Sequence, residues 1–239
     1  MYSSLVYVFD ISCRHSEWES NPQVYVDGVD ADDIQQGYLG DCYFLSCLSV
    51  LADRPGMIER LILTPTVNTG GVFAARFCKH GAWHDVLIDD HFPCVQRQDN
   101  DQQDDKPEDE DRHDAALRSA LDIDTIGGSV QKPTHWAPAF SKARDGELWP
   151  CILEKAWAKV HGSYQAIEKG DPSSTLRDLT GAPSQFLSCN DPLDSDRLLL
   201  WQAMLAADRK GYLMAAGMAA ALLNGGEHLR ADGLIAGHC

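Results

Sequence analysis

Cys42 is the residue with the clearest capacity for chemistry, because it stands where a glycine-containing loop runs into an apolar segment. The loop holds Gln36, Gly37 and Gly40. From Asp41 onward, apolar residues recur at spacings of three and four, which predicts a helix with one buried face. The apolar positions are Phe44, Leu45, Leu48, Leu51 and Ala52. Asp41 is then the expected N-cap, and Cys42 lies in the first turn.

A thiol in the first turn of a helix lies beside backbone N–H groups and the positive end of the helix dipole. We therefore expect a lowered pKa for the Cys42 thiol, which favours the nucleophilic thiolate. A substrate carbonyl that approached it would meet two donors for an oxyanion, the backbone N–H of Cys42 and the side-chain amide of Gln36. Gly37 and Gly40 would let the loop fold tightly enough. The alternative is that Cys42 is a small buried apolar residue without chemistry.

The segment Gln36-Gly37-x-Leu39-Gly40-Asp41-Cys42-x-Phe44-Leu45 resembles the active-site segment of the calpain family of intracellular cysteine proteases. Further matches follow in the family's order. They are Gly81-Ala82-Trp83, Val86-Leu87-Ile88-Asp89-Asp90, Pro93, Glu147-Leu148-Trp149-Pro150, Leu153-Glu154-Lys155-Ala156-Trp157-Ala158-Lys159, His161-Gly162-Ser163-Tyr164, Asp178-Leu179-Thr180-Gly181 and Gly237-His238. The resemblance runs from about residue 20 to the C-terminus, apart from one insertion. It implies an α+β, papain-like two-lobed core, with a helical first lobe containing a small strand pair and an incomplete β-rich second lobe.

The resemblance also supplies a general base. It puts the catalytic imidazole at His238, which would take the thiol proton and later protonate the leaving amine. The family has alanine at the next position, where this chain has Cys239. The family's third catalytic residue, an asparagine in an Asn-Pro-Trp-Gly motif, would fall after residue 239. A base beside a fraying terminus is held loosely, so we interpret the chain as a C-terminally truncated protease and expect it to be inactive by itself.

An acidic segment with a glycine precedes the loop, and its oxygens suit a hard cation. The alternative is a solvated acidic turn. The resemblance implies a calcium ion held by the backbone carbonyls of Val26 and Gly28 and by the carboxylates of Asp33 and Glu147. Conventional calpains carry an arginine where this chain has Ala31, and that arginine links the two halves when calcium binds. Calcium is therefore expected to bind here without necessarily switching activity.

The composition limits the class of protein. The 239 residues are ample for one or two domains, and the net charge of −16 argues against nucleic acid as the main partner. The eight cysteines contain no C-x-x-C pair and no zinc-type spacing, which favours reduced thiols in the cytoplasm. They stand at positions 13, 42, 47, 78, 94, 151, 189 and 239. We expect neither a signal peptide nor a membrane span, and protein or peptide substrates.

The chain is expected to divide into an N-terminal segment, residues 1–25, a first protease lobe, residues 26–181, and a partial second lobe, residues 182–239. The hinge would be Gly181-Ala182-Pro183, where the match to the first lobe finishes. About residues 97–135 form an acidic insertion that lacks the apolar residues needed to order itself. Such a run is typical of a solvated loop, although it could also dock a basic partner or collect calcium weakly.

Periodicity and composition predict the remaining elements. These are a short helix over 57–63, strands over 72–79 and 82–88 joined at His80-Gly81, a helix from Trp149 to Val160, a helix over 196–208 and a strand over 211–216. Trp83 is interpreted as a core aromatic, and Glu154 and Lys155 as structural. His84 and His91 are interpreted as surface residues.

The leading interpretation is a calpain-like, calcium-dependent cysteine endopeptidase in which Cys42 attacks, Gln36 helps to hold the oxyanion and His238 moves the proton. A non-catalytic, calcium-responsive interaction module with the same fold is the alternative. A different thiol enzyme, such as an acyltransferase, is a third interpretation. No regulatory partner is indicated.

Overall fold

The computed structural model describes residues 12–97, 135–187, 194–218, 228–229 and 233–239. Within these ranges the chain forms four α-helices and nine strands, which confirms the predicted α+β class. The helices are α1 (Cys42–Ala52), α2 (Trp149–His161), α3 (Pro172–Thr180) and α4 (Asp194–Arg209). The strands are β1 (Ser12–Arg14), β2 (Ile34–Gln35), β3 (Val72–Lys79), β4 (Ala82–Asp89), β5 (His91–Arg97), β6 (His135–Pro138), β7 (Lys142–Ala143), β8 (His228–Leu229) and β9 (Ile235–Ala236).

The two helices predicted from apolar spacing are both present and share one core. In α1, Phe44 and Leu48 have no exposed surface, as expected for the inner face of an amphipathic helix. Trp157 of α2 stacks on Phe44 with ring centroids 5.0 Å apart, and Phe77 of β3 meets the same indole edge-on at 5.3 Å. The indole N–H of Trp157 donates to the hydroxyl of Tyr43. Aromatic packing therefore fixes α1 against α2.

Strands β3 and β4 form the predicted hairpin. His80 and Gly81 make its two-residue turn with φ values of +54° and +79°, the left-handed conformation that such turns require. The interpretation of Trp83 as a core residue is wrong, since its side chain is 48% exposed. Trp83 pairs with Cys78 across the ladder, but its face of β4 is not covered by the core.

Strands β1, β5 and β6 form an antiparallel sheet with β5 in the centre. Arg97 at the end of β5 is paired with His135 at the start of β6. The predicted acidic insertion therefore leaves and rejoins the fold at neighbouring strand ends. Its residues 98–134 lie outside the described part of the chain.

Two predicted elements are wrong. Residues 57–63 form successive turns rather than a helix, and Ile62 makes a β-bridge to Ala75. Ile58 and Leu61 are nevertheless buried, so the segment packs by its apolar side chains without helical periodicity. Residues 211–216 form no strand in the described part of the fold.

The predicted helix over 196–208 is present as α4, which begins and ends slightly outside those bounds. It differs from α1 and α2 because its apolar side chains are exposed, with Leu199 at 62% and Trp201 at 56%. No helix among the described residues is both long and apolar enough to cross a bilayer.

Candidate active site

The loop that precedes Cys42 is held by backbone hydrogen bonds at both ends. Strand β2 at its start pairs with β7, and the N–H of Tyr38 donates to the carbonyl of Ala139 at 3.0 Å. At its end, the carbonyl of Gly40 accepts the N–H of Lys169 at 2.9 Å. Because these partners belong to the segments before and after α2, the loop is fixed relative to both helices.

The two loop glycines, which were predicted to let the loop fold tightly, differ in how much space a side chain would have. Neither Gly37 nor Gly40 has a positive φ, so neither forms a left-handed turn. Gly37 is needed for close approach instead, because a Cβ there would lie 2.1 Å from the carbonyl oxygen of Phe140. At Gly40 a Cβ would meet only the side-chain Cγ of Glu168, at an ordinary 3.5 Å.

Cys42 is the first residue of α1 and is half-buried. The other described cysteines except Cys239 are buried; they are Cys13, Cys47, Cys78, Cys94 and Cys151. The thiol of Cys239 is hydrogen-bonded to the thiol of Cys42, and this bond together with partial burial raises the pKa of Cys239. The contact brings the last described residues to the start of α1.

His238 is half-buried and adjoins Cys239. Its segment is held by backbone hydrogen bonds, from the N–H of Met218 to the carbonyl of His238 at 3.0 Å and from the N–H of Gly237 to the carbonyl of Met218 at 2.9 Å. Strand β9, which leads into it, pairs with β8. The structure therefore brings the predicted base and the predicted nucleophile to the same side of the molecule.

Gln36 is exposed, and its side-chain nitrogen donates to the carbonyl of Leu39 at 2.8 Å. An amide nitrogen carries two N–H groups, so one of them orients the side chain within the loop. The second is the one that could serve an oxyanion.

Asp41 occupies the N-cap position, but its side chain does not cap α1. The carboxyl group is fully buried, and the helix start is satisfied by the Asp41 carbonyl, which accepts the N–H groups of Phe44 and Leu45. The predicted side-chain cap is therefore wrong.

The predicted calcium ligands Val26, Asp33 and Glu147 lie together. The Glu147 carboxylate accepts the N–H of Val26 at 2.5 Å and the indole N–H of Trp149 at 3.0 Å. Burial, together with the neighbouring Asp33 carboxyl to which it is hydrogen-bonded, raises the pKa of Glu147 to about 7. A divalent cation between the two carboxyls would replace the proton that Glu147 otherwise holds. These donors fit calcium.

Gly28, the fourth predicted ligand, lies in the same acidic segment. It has φ of +114° and follows Asp27 with φ of +56°, so the backbone turns sharply there. In the described part of the chain no group of three or more His, Cys, Asp or Glu side chains could hold a metal. A calcium ion would therefore depend on carbonyl oxygens as well as on Asp33 and Glu147.

A family model described as calpain family cysteine protease matches residues 12–108 and 130–239. The chain belongs to the calpain family of cysteine proteases. Three calpain relatives illustrate the similarity. A calpain-type cysteine protease ADL1 of Oryza sativa subsp. japonica is 32% identical over 223 residues, 92% of this chain and 8% of that protein. A calpain-type cysteine protease DEK1 of Zea mays is 32% identical over 95% of this chain and 8% of its own length.

Calpain-A of Drosophila melanogaster is 30% identical over 182 residues, which are 72% of this chain and 17% of that calpain. The chain thus spans less than a fifth of the length of each of these calpain relatives.

Sequence reasoning missed two contacts at this calpain site. Glu154, interpreted as structural, is buried against the Asp41 carboxyl beside Cys42. Its position three residues before Trp157, within the apolar stripe of α2, was the available signal. Cys239 was noted only as a departure from the family's alanine, and its contact with Cys42 required the structure.

Proposed function

We propose that this chain forms the nucleophile-bearing core of a calpain-type cysteine endopeptidase that cleaves protein or peptide substrates. The observation that carries the proposal is the half-buried thiol at the first position of α1, in contact with the residue that follows His238. Five other described cysteines are buried, and only Cys42 begins a helix beside a fixed glycine loop. The free thiols of the described cysteines support a reducing, cytoplasmic environment.

In the proposed mechanism the Cys42 thiolate attacks the scissile carbonyl and forms a tetrahedral intermediate. The Cys42 amide at the positive end of α1 and the Gln36 side chain then donate N–H hydrogen bonds to the oxyanion. His238 takes the thiol proton and donates it to the leaving amine. It then removes a proton from the water that hydrolyses the thioester.

The calcium part of the proposal rests on Asp33 and Glu147, with the carbonyls of Val26 and Gly28 as further ligands. When bound, the ion would supply positive charge between the neighbouring carboxyls of Asp33 and Glu147. It would also link the acidic segment to the start of α2, because Glu147 is adjacent to that helix and already bonds Val26 and Trp149. Dependence of activity on calcium remains a proposal.

Calcium binding is tested by isothermal calorimetry of the chain. We expect binding heat from the wild type and none from an Asp33→Ala/Glu147→Ala double variant, because the double variant removes both carboxylates. Asp32→Ala is the matched control, since that carboxylate is exposed and only the backbone N–H of Asp32 bonds its neighbour. Equal heats from wild type and double variant would show that no such site exists.

A non-catalytic interaction module is the second candidate. The specific observation that favours it is the hydrogen bond between the Cys42 and Cys239 thiols, because the thiol of the proposed nucleophile is already engaged. The prediction that this chain is inactive by itself concerns peptide bonds, which lack the activated leaving group of an ester, and it stays a prediction.

The function is tested with a peptide p-nitrophenyl ester, because an activated ester acylates a competent thiol even where later steps are slow. We expect a mass increase of one acyl group on Cys42, followed by release of the free acid. Cys42→Ala abolishes acylation, whereas Cys47→Ala in the buried face of the same helix retains it. Acylation that survives Cys42→Ala contradicts the mechanism, absence of acylation favours the interaction module, and transfer to an added amine rather than to water indicates an acyltransferase.

A further inference from the structure

A pair of buried carboxyl groups lies behind the proposed nucleophile. Asp41 immediately precedes Cys42 and has no exposed surface, while Glu154 of α2 is only 2% exposed. Both oxygens of Glu154 accept the N–H of Ser141, at 3.0 and 3.2 Å. The remaining partner of Glu154 is Asp41, whose carboxyl group is hydrogen-bonded to it. The pair therefore joins the start of α1 to α2 and to the segment around Ser141.

Two ionised carboxylates cannot make that bond, because both would be acceptors. Neither Asp41 oxygen accepts an N–H or O–H from another described residue. The contact thus requires a proton between Asp41 and Glu154. Burial raises the pKa of both carboxyls, and for Asp41 the charge of Glu154 adds to that effect.

Among the described residues, the titratable groups that act on the pair are thiols and phenols, which carry no positive charge. Cys42 and Tyr43 act on it from α1, Cys151 from α2, and Tyr164 from the turn after α2. Burial raises the pKa of the Cys151 thiol and of the Tyr164 hydroxyl, so both stay neutral near pH 7. The Cys151 thiol donates to the carbonyl of Ser141, which continues the same network.

We propose that Asp41 and Glu154 are positioning residues that share one proton and thereby hold the first turn of α1, and with it Cys42, at a fixed place against α2. The proposal rests on Cys42 being the nucleophile, as proposed above. While the proton is present, the pair carries one negative charge and a hydrogen bond. When it is lost, two buried carboxylates repel each other one residue from the thiol, which loosens the helix start and opposes the thiolate.

The direction in which stability changes with pH follows from the raised pKa values of the two carboxyls. A carboxyl whose pKa is higher in the folded chain than in the unfolded chain makes stability fall as pH rises between the two values. For Glu154 these are the usual 4.5 and about 7. The melting temperature should therefore decline as pH rises through this interval, and it should continue to decline at higher pH because the pKa of Asp41 is also raised.

The test uses Glu154→Gln and Asp41→Asn. In each variant the amide can donate an N–H to the remaining carboxylate, so the bond no longer needs a proton. We expect the melting temperature of both variants to decline less steeply above pH 4.5 than that of the wild type, because each variant keeps only one of the two buried carboxyls. Glu147, His15 and His161 also have shifted pKa values near this range, but they titrate in all three proteins and cancel in the difference.

The second readout is the rate at which iodoacetamide alkylates Cys42, measured by peptide mass spectrometry across the same pH range. A purely structural pair would alter the melting temperature without altering the shape of this profile. We expect the wild-type profile to contain an inflection from the pair that both amide variants lose. Parallel melting curves and unchanged alkylation profiles would overturn the proposal.

Neither readout requires peptide hydrolysis, so the pair can be confirmed even if acylation by an ester fails, and the reverse also holds. If both amide variants fail to fold, the infrared carbonyl stretch of a protonated carboxyl is measured in a Glu147→Gln variant, which lacks the other described carboxyl with a raised pKa. Its presence at pH 6 and loss as pH rises supports the shared proton. Its absence at pH 6 contradicts it.

Discussion

Gly37→Ala will disrupt the active-site loop. A Cβ at this position would lie 2.1 Å from the carbonyl oxygen of Phe140 and 2.5 Å from that of Ala139, and both are backbone atoms that cannot move aside cheaply. Relieving the clash would break the hydrogen bond from Tyr38 to Ala139. Overpacking together with a lost hydrogen bond should reduce the free energy of unfolding by about 3 kcal/mol.

Gly40→Ala is the matched control in the same loop. Its Cβ would meet only the flexible side chain of Glu168 at 3.5 Å, and its φ is not positive, so we expect a change within about 1 kcal/mol. Urea unfolding of both variants measures the difference. Equal stabilities for the two variants would show that the close approach at Gly37 does not constrain the loop.

The elements with long apolar periodicity were predictable from sequence. Helices α1 and α2 and the β3–β4 hairpin occur where the spacing of apolar residues and the His80-Gly81 turn indicated them. In each case local preference and burial act in the same direction, because the apolar side chains on one face are those that enter the core.

The predictions were wrong where the burial or the secondary structure of a segment depends on which other elements pack against it. Trp157 and Trp83 are the same residue type, yet Trp157 is 2% exposed and Trp83 48% exposed. Alternation along a strand shows that two faces differ but not which face the helices cover. The segment 57–63 buries Ile58, Leu61 and Ile62 without being helical, because Ile62 forms a β-bridge to Ala75 of β3.

The residues of the candidate site that belong to a family motif could be predicted from the sequence. The buried pair of carboxyl groups could not. Cys42, Gln36, His238 and Glu147 were named from motifs. Asp41 was expected to cap α1, and only the structure showed that its carboxyl turns inward to Glu154. A carboxyl at an N-cap position is usually exposed and bonded to backbone N–H groups, so the sequence gives no sign of a buried acid pair.

The second prediction with a large expected effect concerns the reactivity of the Cys42 thiol. Cys42 and Cys239 are both half-buried and in contact, so access alone would make them similarly reactive. The positive end of α1, with His238 as the proposed base, should make Cys42 the thiolate of the two. General base catalysis typically contributes at least about a hundredfold in rate.

The most direct measurement is the rate at which a peptidyl epoxide modifies each cysteine at pH 7, resolved by mass spectrometry of proteolytic peptides. We predict that Cys42 reacts about a hundredfold faster than Cys239, that His238→Ala removes most of this advantage, and that His84→Ala on an exposed strand position leaves it unchanged. A Cys42 rate no higher than that of Cys239, or one that is indifferent to His238→Ala, would contradict the assignment of Cys42 as an activated nucleophile.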